Sequence, residues 1–111
     1  MAKRYKVGII GCGIGKSHME EGYFPHADKY EVAVLCDLDE VRLNAVADEF
    51  GVKTRTRLSD EVMAMEDIDI IDICTPPATH TKLILQALAA GKHVVCEKPL
   101  TGSLAEVDEV R

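Results

Sequence analysis

The sequence has 111 residues, of which 47% are hydrophobic and 29% charged, and its formal net charge is −6. A chain of this length forms one domain with its own core. Its negative charge argues against a nucleic-acid or anionic-membrane surface, because neutralising phosphates requires clustered lysine and arginine. The basic cluster at the amino end precedes an apolar stretch that is too short and too glycine-rich for a signal peptide, and no run reaches membrane-spanning length. We therefore expect a cytoplasmic protein.

The strands are predicted from apolar runs that alternate with segments of helical periodicity. This alternation is typical of βαβ units around a parallel sheet that is buried on both faces. The predicted strands are Tyr5–Ile10, Glu31–Cys36, a short polar edge strand Lys53–Thr56, Ile68–Cys74 and His93–Cys96. Five strands joined by right-handed crossovers predict a doubly wound α/β sheet of order 3-2-1-4-5.

The helices are predicted from capping residues and apolar spacing. Asp39 is expected to cap a helix that ends at Gly51, Ser59 a short helix through Met65, and Thr79 or Thr81 a helix that stops at Gly91. The faces expected against the sheet are Leu43, Val46, Ala47 and Phe50 in the first, and Leu83, Ile84, Ala87 and Leu88 in the third. Ser103 and Glu106 form a capping box for a last helix. Because the sequence stops inside that helix, we expect residues 1–111 to be the front part of a longer protein.

A glycine-rich turn follows the first predicted strand, in the segment VGIIGCGIGKSH (Val7–His18). Between a parallel strand and a helix, such a turn lets backbone amides meet a pyrophosphate. In a strict GxGxxG reading the last position is Lys16, whereas in a shortened GxGxG turn Gly15 takes the close-packing role. We favour the shortened turn; the alternative is a glycine bend that binds nothing.

An acidic residue, Asp37, ends the second strand 22 residues beyond Gly15. That spacing is close to the one at which a carboxylate accepts hydrogen bonds from the adenosine ribose. The alternative role, a helix N-cap, is filled better by Asp39. No basic residue follows within DLDE, so a 2′-phosphate would meet three acidic side chains, Asp37, Asp39 and Glu40. This charge distribution predicts a preference for NAD over NADP.

Two further segments end predicted strands. In CTPPATH (Cys74–His80), Thr75 offers a hydroxyl beside the ligand crevice, and His80 is either a helix-start residue or a catalytic one. In GKHVVCEKPL (Gly91–Leu100), a Lys98–Pro99 turn would aim Lys98 at a substrate oxygen or the nicotinamide ribose; the alternative is a loop charge pair. The four cysteines form no CxxC pair, so we predict buried hydrophobes and no metal site.

Together, GCGIGKSH, the acidic strand end, CTPPATH and above all AGKHVVCEKPL resemble the Gfo/Idh/MocA oxidoreductases, the family of glucose–fructose oxidoreductase and inositol dehydrogenase. The similarity covers essentially the whole chain, and AGKHV followed by EKP is its specific part. It implies a nicotinamide dinucleotide cofactor, a sugar, polyol or related substrate, and a Rossmann domain followed by an α/β substrate domain. It also implies Lys98 as the active-site residue of this chain. The predicted cofactor-binding set is Gly11, Cys12, Gly13, Ile14, Gly15, Asp37, Cys74, Thr75, Pro76, Pro77, His80, Glu97, Lys98 and Pro99.

The sequence departs from the family pattern in two ways. The glycine turn is one residue short of the commoner form, and the substrate domain with its general acid/base is absent, so the chain alone is expected to be inactive. A second hypothesis is a stand-alone dinucleotide-binding or sensing module, which the triplet Glu97–Pro99 argues against. A third is a two-domain dehydrogenase of amino-acid metabolism. We expect the full-length protein to be a homo-oligomer that acts on a small molecule.

Overall fold

The computed structural model describes residues 4–75 and 79–96, without the side chains of Ile14 and Cys96. Five strands alternate with helices along this part of the chain. The strands are β1 (Tyr5–Ile10), β2 (Tyr30–Cys36), β3 (Arg55–Thr56), β4 (Ile70–Ile73) and β5 (His93–Cys96). The helices are α1 (Cys12–His18), which continues into a π-helical segment (Met19–Tyr23), then α2 (Glu40–Phe50), α3 (Ser59–Met63) and α4 (His80–Ala89).

The strands form one sheet of order β3-β2-β1-β4-β5 in which every pairing is parallel, as the sequence predicts. In the central strand β1, the last four residues are buried, because helices cover both faces of the sheet. Ile10 pairs with Cys36 on one side and with Ile73 on the other. The residues that follow β1, β2 and β4 therefore meet at a single edge of the sheet, the carboxyl edge.

The core has two parts, one on each face of the sheet. On the first face, Val7, Ile9 and Leu35 pack against the apolar sides of α1 and α2. On the second, residues of the same strands pack against α3 and α4, with Val62 and Ile84 supplied by those helices. Cys12, Cys36 and Cys74 are buried thiols, as the sequence predicts.

The strand β4 is shorter than its predicted range, Ile68–Cys74, because Ile68 belongs to a turn. Ile68 is buried, but its N–H donates to the carbonyl of Met65 at 3.3 Å. Its own carbonyl accepts the ammonium of Lys92 at 2.9 Å, and the same ammonium reaches the Met65 carbonyl at 2.6 Å. β4 therefore begins only at Ile70. The predicted edge strand is likewise reduced, to Arg55–Thr56.

The helix ends agree with the predicted caps in part. Asp39 caps α2 by accepting the N–H of Arg42 at 3.1 Å, and Gly51 ends it with a φ of +68°. Ser59 is wrong as a cap: it is already the first residue of α3, which ends at Met63. Leu88 was predicted to face the sheet but is 48% exposed, since α4 directs its neighbours Leu83, Ile84 and Ala87 inward instead. The predicted last helix, at residues 103–111, lies outside the described residues. Across residues 4–75 and 79–96, none of the helices combines the length and the apolar character that crossing a membrane would require.

Candidate functional site: a cleft at the carboxyl edge of the sheet

The glycine turn between β1 and α1 is fixed between the ends of β2 and β4. Gly11 donates its N–H to the carbonyl of Cys36 at 2.8 Å and has a φ of +99°, which L side chains rarely adopt. A Cβ at this position would lie 2.7 Å from the carbonyl oxygen of Cys74. At Gly13 the nearest atom to a Cβ would be Arg42 Nη1, at 3.6 Å. The turn is therefore closed towards the sheet at Gly11 and open towards the cleft at Gly13.

Gly15 makes the closest approach between α1 and the sheet. A Cβ there would lie 2.5 Å from Ile9 Cγ2, which is closer than two carbon atoms can approach without a shift of the structure. Lys16 instead points to the surface, where its ammonium pairs with Glu49 at 3.1 Å. Gly15 thus occupies the close-packing position of the shortened turn, as predicted, and Lys16 does not hold the helix away. That the glycine turn binds a phosphate stays a prediction.

Asp37 lies at the end of β2, 7% exposed, and is surrounded by donors. Its Oδ2 accepts the Cys12 N–H at 3.0 Å and Arg42 Nε at 2.9 Å. Its Oδ1 accepts the Asp39 N–H at 2.9 Å, with Arg42 Nη2 at 3.5 Å. Burial would raise the pKa of this carboxyl, but the hydrogen bonds from Asp39, Arg42 and Cys12 outweigh it and lower the pKa. Asp37 is therefore a carboxylate at neutral pH, beside the glycine turn.

Two arginines share this cleft, and sequence reasoning missed both. Arg42 pairs with Asp37, and Arg57 lines the same cavity. Residues 37–40, the strand end and the helix start, contain neither of these arginines. Since Asp39 caps α2, the first helical turn returns Arg42 to the side of Asp37. That capping signal was present in the sequence and could have located this cation. Acidic and basic groups therefore lie side by side in this part of the cleft.

The cleft has a volume of about 880 Å³, which is within the usual range for small-ligand sites. Gly11, Gly13 and Asp37 line one side, and Thr75 and His80 line the other. Leu38 and Leu58, 75% and 57% exposed, add apolar surface at its rim. The cleft is large enough for a small organic ligand and offers it both charged and apolar groups.

The segment after β4 is braced by its own side chains. His80 is 1% exposed and its Nε2 lies 2.6 Å from the carbonyl oxygen of Thr75. The hydroxyls of Thr75 and Thr79 are 2.7 Å apart. These contacts agree with His80 as a helix-start residue that shapes the cleft wall, rather than with a base open to substrate.

Apart from Gly15, which packs α1 against β1, and Ile14, whose side chain is outside the described part, the predicted site residues fall into three groups. The structure brings Gly11, Gly13, Asp37, Cys74, Thr75 and His80 together along the cleft. The side chain of Cys12 lies in the core behind it, where burial, and then the charge of Asp37, raise the pKa of its thiol to about 12; its backbone N–H is what reaches the site. Pro76, Pro77, Glu97, Lys98 and Pro99 lie outside the described residues, so the predicted role of Lys98 stays a prediction.

Comparison with known proteins agrees with this geometry. Residues 5–111 match the family model GFO_IDH_MocA, described as "Oxidoreductase family, NAD-binding Rossmann fold". The chain is 32% identical to myo-inositol 2-dehydrogenase of Thermotoga maritima over 95% of its length, and 36% identical to D-xylose 1-dehydrogenase (NADP(+)) 2 of Haloferax volcanii over 93%. It superposes on GenD2 from gentamicin A biosynthesis, solved in complex with NAD, with a TM-score of 0.89 at 30% identity over 99% of the chain. The chain spans 31% of each of these three proteins.

Proposed function

Because the chain belongs to the Gfo/Idh/MocA oxidoreductase family through its NAD-binding Rossmann domain, we propose that it holds a nicotinamide dinucleotide. In the full-length protein this cofactor would exchange a hydride with a sugar, polyol or related alcohol or carbonyl compound. The observation that carries the proposal is the position of the Asp37 carboxylate beside the open glycine turn. Relatives named as inositol and xylose dehydrogenases support the substrate class.

The residues of the cleft fit the parts of a dinucleotide. In the first turn of α1 the Cys12 N–H donates to Asp37, and the amides that follow it would meet the pyrophosphate, for which the missing Cβ at Gly13 leaves room. Asp37 would accept hydrogen bonds from the adenosine ribose. The apolar surface of Leu38 and Leu58 would contact the adenine ring. The bound nicotinamide supplies the hydride chemistry; the protein supplies position and electrostatics.

Cofactor binding at Asp37 is an exchange, because its carboxylate is already engaged. Two carboxylate oxygens offer about four acceptor sites. Two of them are taken by the backbone N–H groups of Cys12 and Asp39, and the guanidinium of Arg42 covers the others. The Arg42 side chain is half-exposed and can swing away. Ribose hydroxyls would therefore replace Arg42 on Asp37.

We propose that NAD is preferred over NADP. A 2′-phosphate would bring nearly two negative charges next to the Asp37 carboxylate, with Asp39 and Glu40 close in sequence. Arg42 and Arg57 oppose this repulsion, so the preference is set by the balance between one buried carboxylate and two exposed cations. Both cofactors occur by name among the similar proteins, NADP in the xylose dehydrogenase and NAD in GenD2.

In the reaction, Lys98 would polarise the reacting oxygen of the substrate while a base outside this chain takes the proton. We also propose that the full-length protein works in the cytoplasm as a homo-oligomer, without nucleic-acid or membrane partners. The alternative, a sensing module without catalysis, shares the cofactor site and differs only in turnover.

The test separates these two functions in the full-length protein. Calorimetric titration with NAD⁺ and NADP⁺ should give tighter binding of NAD⁺, and a panel of polyols and aldoses should then yield NADH. Binding without turnover on any member of the panel would support the sensing module. Absence of dinucleotide binding would overturn both.

A further inference from the structure

A second group of chemically active side chains lies where the ends of β4 and α1 meet, behind the glycine turn. Asp72 and Cys74 are two residues apart and point to the same face of the sheet, where His18, the last residue of α1, reaches them. His18 Nδ1 lies 2.7 Å from Asp72 Oδ2 and 3.3 Å from Cys74 Sγ. Cys74 Sγ lies 3.2 Å from Asp72 Oδ1. One nitrogen, one oxygen and one sulfur thus converge within 4.8 Å of one another.

The geometry differs from that of a nucleophilic triad. In a triad, histidine bridges its two partners with different ring nitrogens, one for the acid and one for the nucleophile. Here a single nitrogen, Nδ1, is close to both the carboxylate and the thiol. An imidazole nitrogen, a carboxylate and a thiol that lie this close together are a ligand set that a cation can bind. We propose that His18, Asp72 and Cys74 bind a divalent transition-metal ion of the zinc type.

The donor set and the distances suit such an ion. Imidazole nitrogen, carboxylate oxygen and thiolate sulfur are the ligands of zinc, with bonds of about 2.0–2.3 Å. Tetrahedral geometry at those bond lengths separates the ligand atoms by roughly 3.4–3.6 Å. The contacts among the three side chains are now 2.7–3.3 Å and use both carboxylate oxygens, Oδ2 towards His18 and Oδ1 towards Cys74, as expected of groups that hydrogen-bond to one another. Shifts of about 1 Å in these side chains would bring one nitrogen, one oxygen and one sulfur to the separations of a metal site.

The surroundings provide both a support and an entry path. The Tyr23 hydroxyl donates to Asp72 Oδ2 at 2.6 Å, which holds the fully buried carboxylate in place as outer-shell partners of metal ligands do. His18 is partly exposed and lines a shallow cavity of about 420 Å³ together with Glu21 and His26. Water from this cavity would take the fourth position.

The proposed metal site does not depend on the cofactor proposal, but it adjoins that site. Cys74 places its thiol in the cluster while its carbonyl oxygen packs against Gly11. An ion here would fix the strand end that supports the glycine turn.

Cobalt is the probe, because Co²⁺ binds to the same ligands as Zn²⁺ and gives a charge-transfer absorption band when a thiolate is one of them. The full-length protein, freed of metal by a chelator, should bind one Co²⁺ per chain with such a band, and excess Zn²⁺ should abolish the band. Cys74→Ser should eliminate it and His18→Gln should weaken binding at least tenfold. Cys12→Ser and Cys36→Ser are matched controls, since both thiols are buried outside the cluster, and they should retain the band.

Either of two results would overturn the proposal. The first is no charge-transfer band in the wild-type protein at Co²⁺ excess, which would leave the cluster a purely hydrogen-bonded one. The second is a band that survives in Cys74→Ser. If Cys74→Ser does not fold, the wild-type spectrum and the His18→Gln affinity decide, and an unchanged affinity in His18→Gln counts against the site.

Discussion

Replacing Asp37 with serine should reverse the cofactor preference. The substitution removes a carboxylate that accepts two backbone N–H groups and the guanidinium of Arg42. A serine hydroxyl is too short to hold Arg42, so this cation, with Arg57 in the same cleft, becomes available to a 2′-phosphate. NAD would lose its ribose acceptor, whereas NADP would lose a repulsive neighbour and gain a cation.

The size of the reversal follows from the contacts. A hydrogen bond to a charged group contributes about 1.5–3 kcal/mol, so loss of the ribose bond should weaken NAD by roughly 10- to 150-fold. One arginine–phosphate pair should strengthen NADP by a similar amount. The two changes sum to about 3–6 kcal/mol, and the ratio of the two dissociation constants should change by roughly 10²–10⁴-fold.

Calorimetric titration of both cofactors into the full-length variants measures this ratio. Asp39→Ser is the matched control, because it removes a neighbouring carboxylate while serine still caps α2. Asp37→Ser combined with Arg42→Ala should lose most of the gain for NADP. A ratio in Asp37→Ser no different from that in Asp39→Ser would refute the assignment of Asp37 as the ribose acid.

The remaining expectations concern the turn, the lysine and pH. Gly13→Val should abolish dinucleotide binding in calorimetry without loss of stability. Gly22→Val is the control and should bind normally, because a Cβ at Gly22 would meet no atom within 4 Å. Binding by Gly13→Val would contradict the assignment of the turn as a phosphate site. Gly15→Ala should lower the free energy of unfolding by about 1–2 kcal/mol in urea titration, because its Cβ collides with a stiff β1 side chain; unchanged stability would contradict the close packing. In the full-length enzyme, Lys98→Ala should reduce kcat roughly 10²–10³-fold with little change in NAD affinity, and a near-wild-type kcat would indicate a loop charge pair. The folded pKa of Asp37 lies below its unfolded value of 3.8, so the stability that its carboxylate contributes is present above that value and is lost as pH falls through the folded pKa. The loss of stability in Asp37→Asn should therefore shrink on acidification. A loss that persists in acid would argue that the charge of Asp37 does not stabilise the fold.

The sequence was sufficient to predict the sheet and its order, because a parallel sheet covered on both faces requires continuous apolar runs. Boundaries were harder to predict, since burial rather than pairing explains the apolar character of Ile68. Leu88 looked like a core residue because it follows the apolar spacing of α4, but it is 48% exposed.

The candidate site was predictable where it follows strand ends, and not where it depends on contacts across the fold. Gly11 and Asp37 come directly after strands, so topology alone brings them together. Arg42 enters through a helical turn, and its effect on Asp37 is visible only once α2 is placed. The cluster of His18 and Asp72 joins residues 54 positions apart, which no local spacing rule detects.

The ammonium of Lys92, which ties the carbonyls of Met65 and Ile68 together, lies at the edge of the sheet opposite the cleft. An apolar side chain in place of this buried cation would remove both hydrogen bonds at once. Position 92 is therefore constrained by folding alone, at a distance from any ligand. At the carboxyl edge, by contrast, Asp37 serves the fold and the candidate site together, so a substitution there would change stability and binding at the same time.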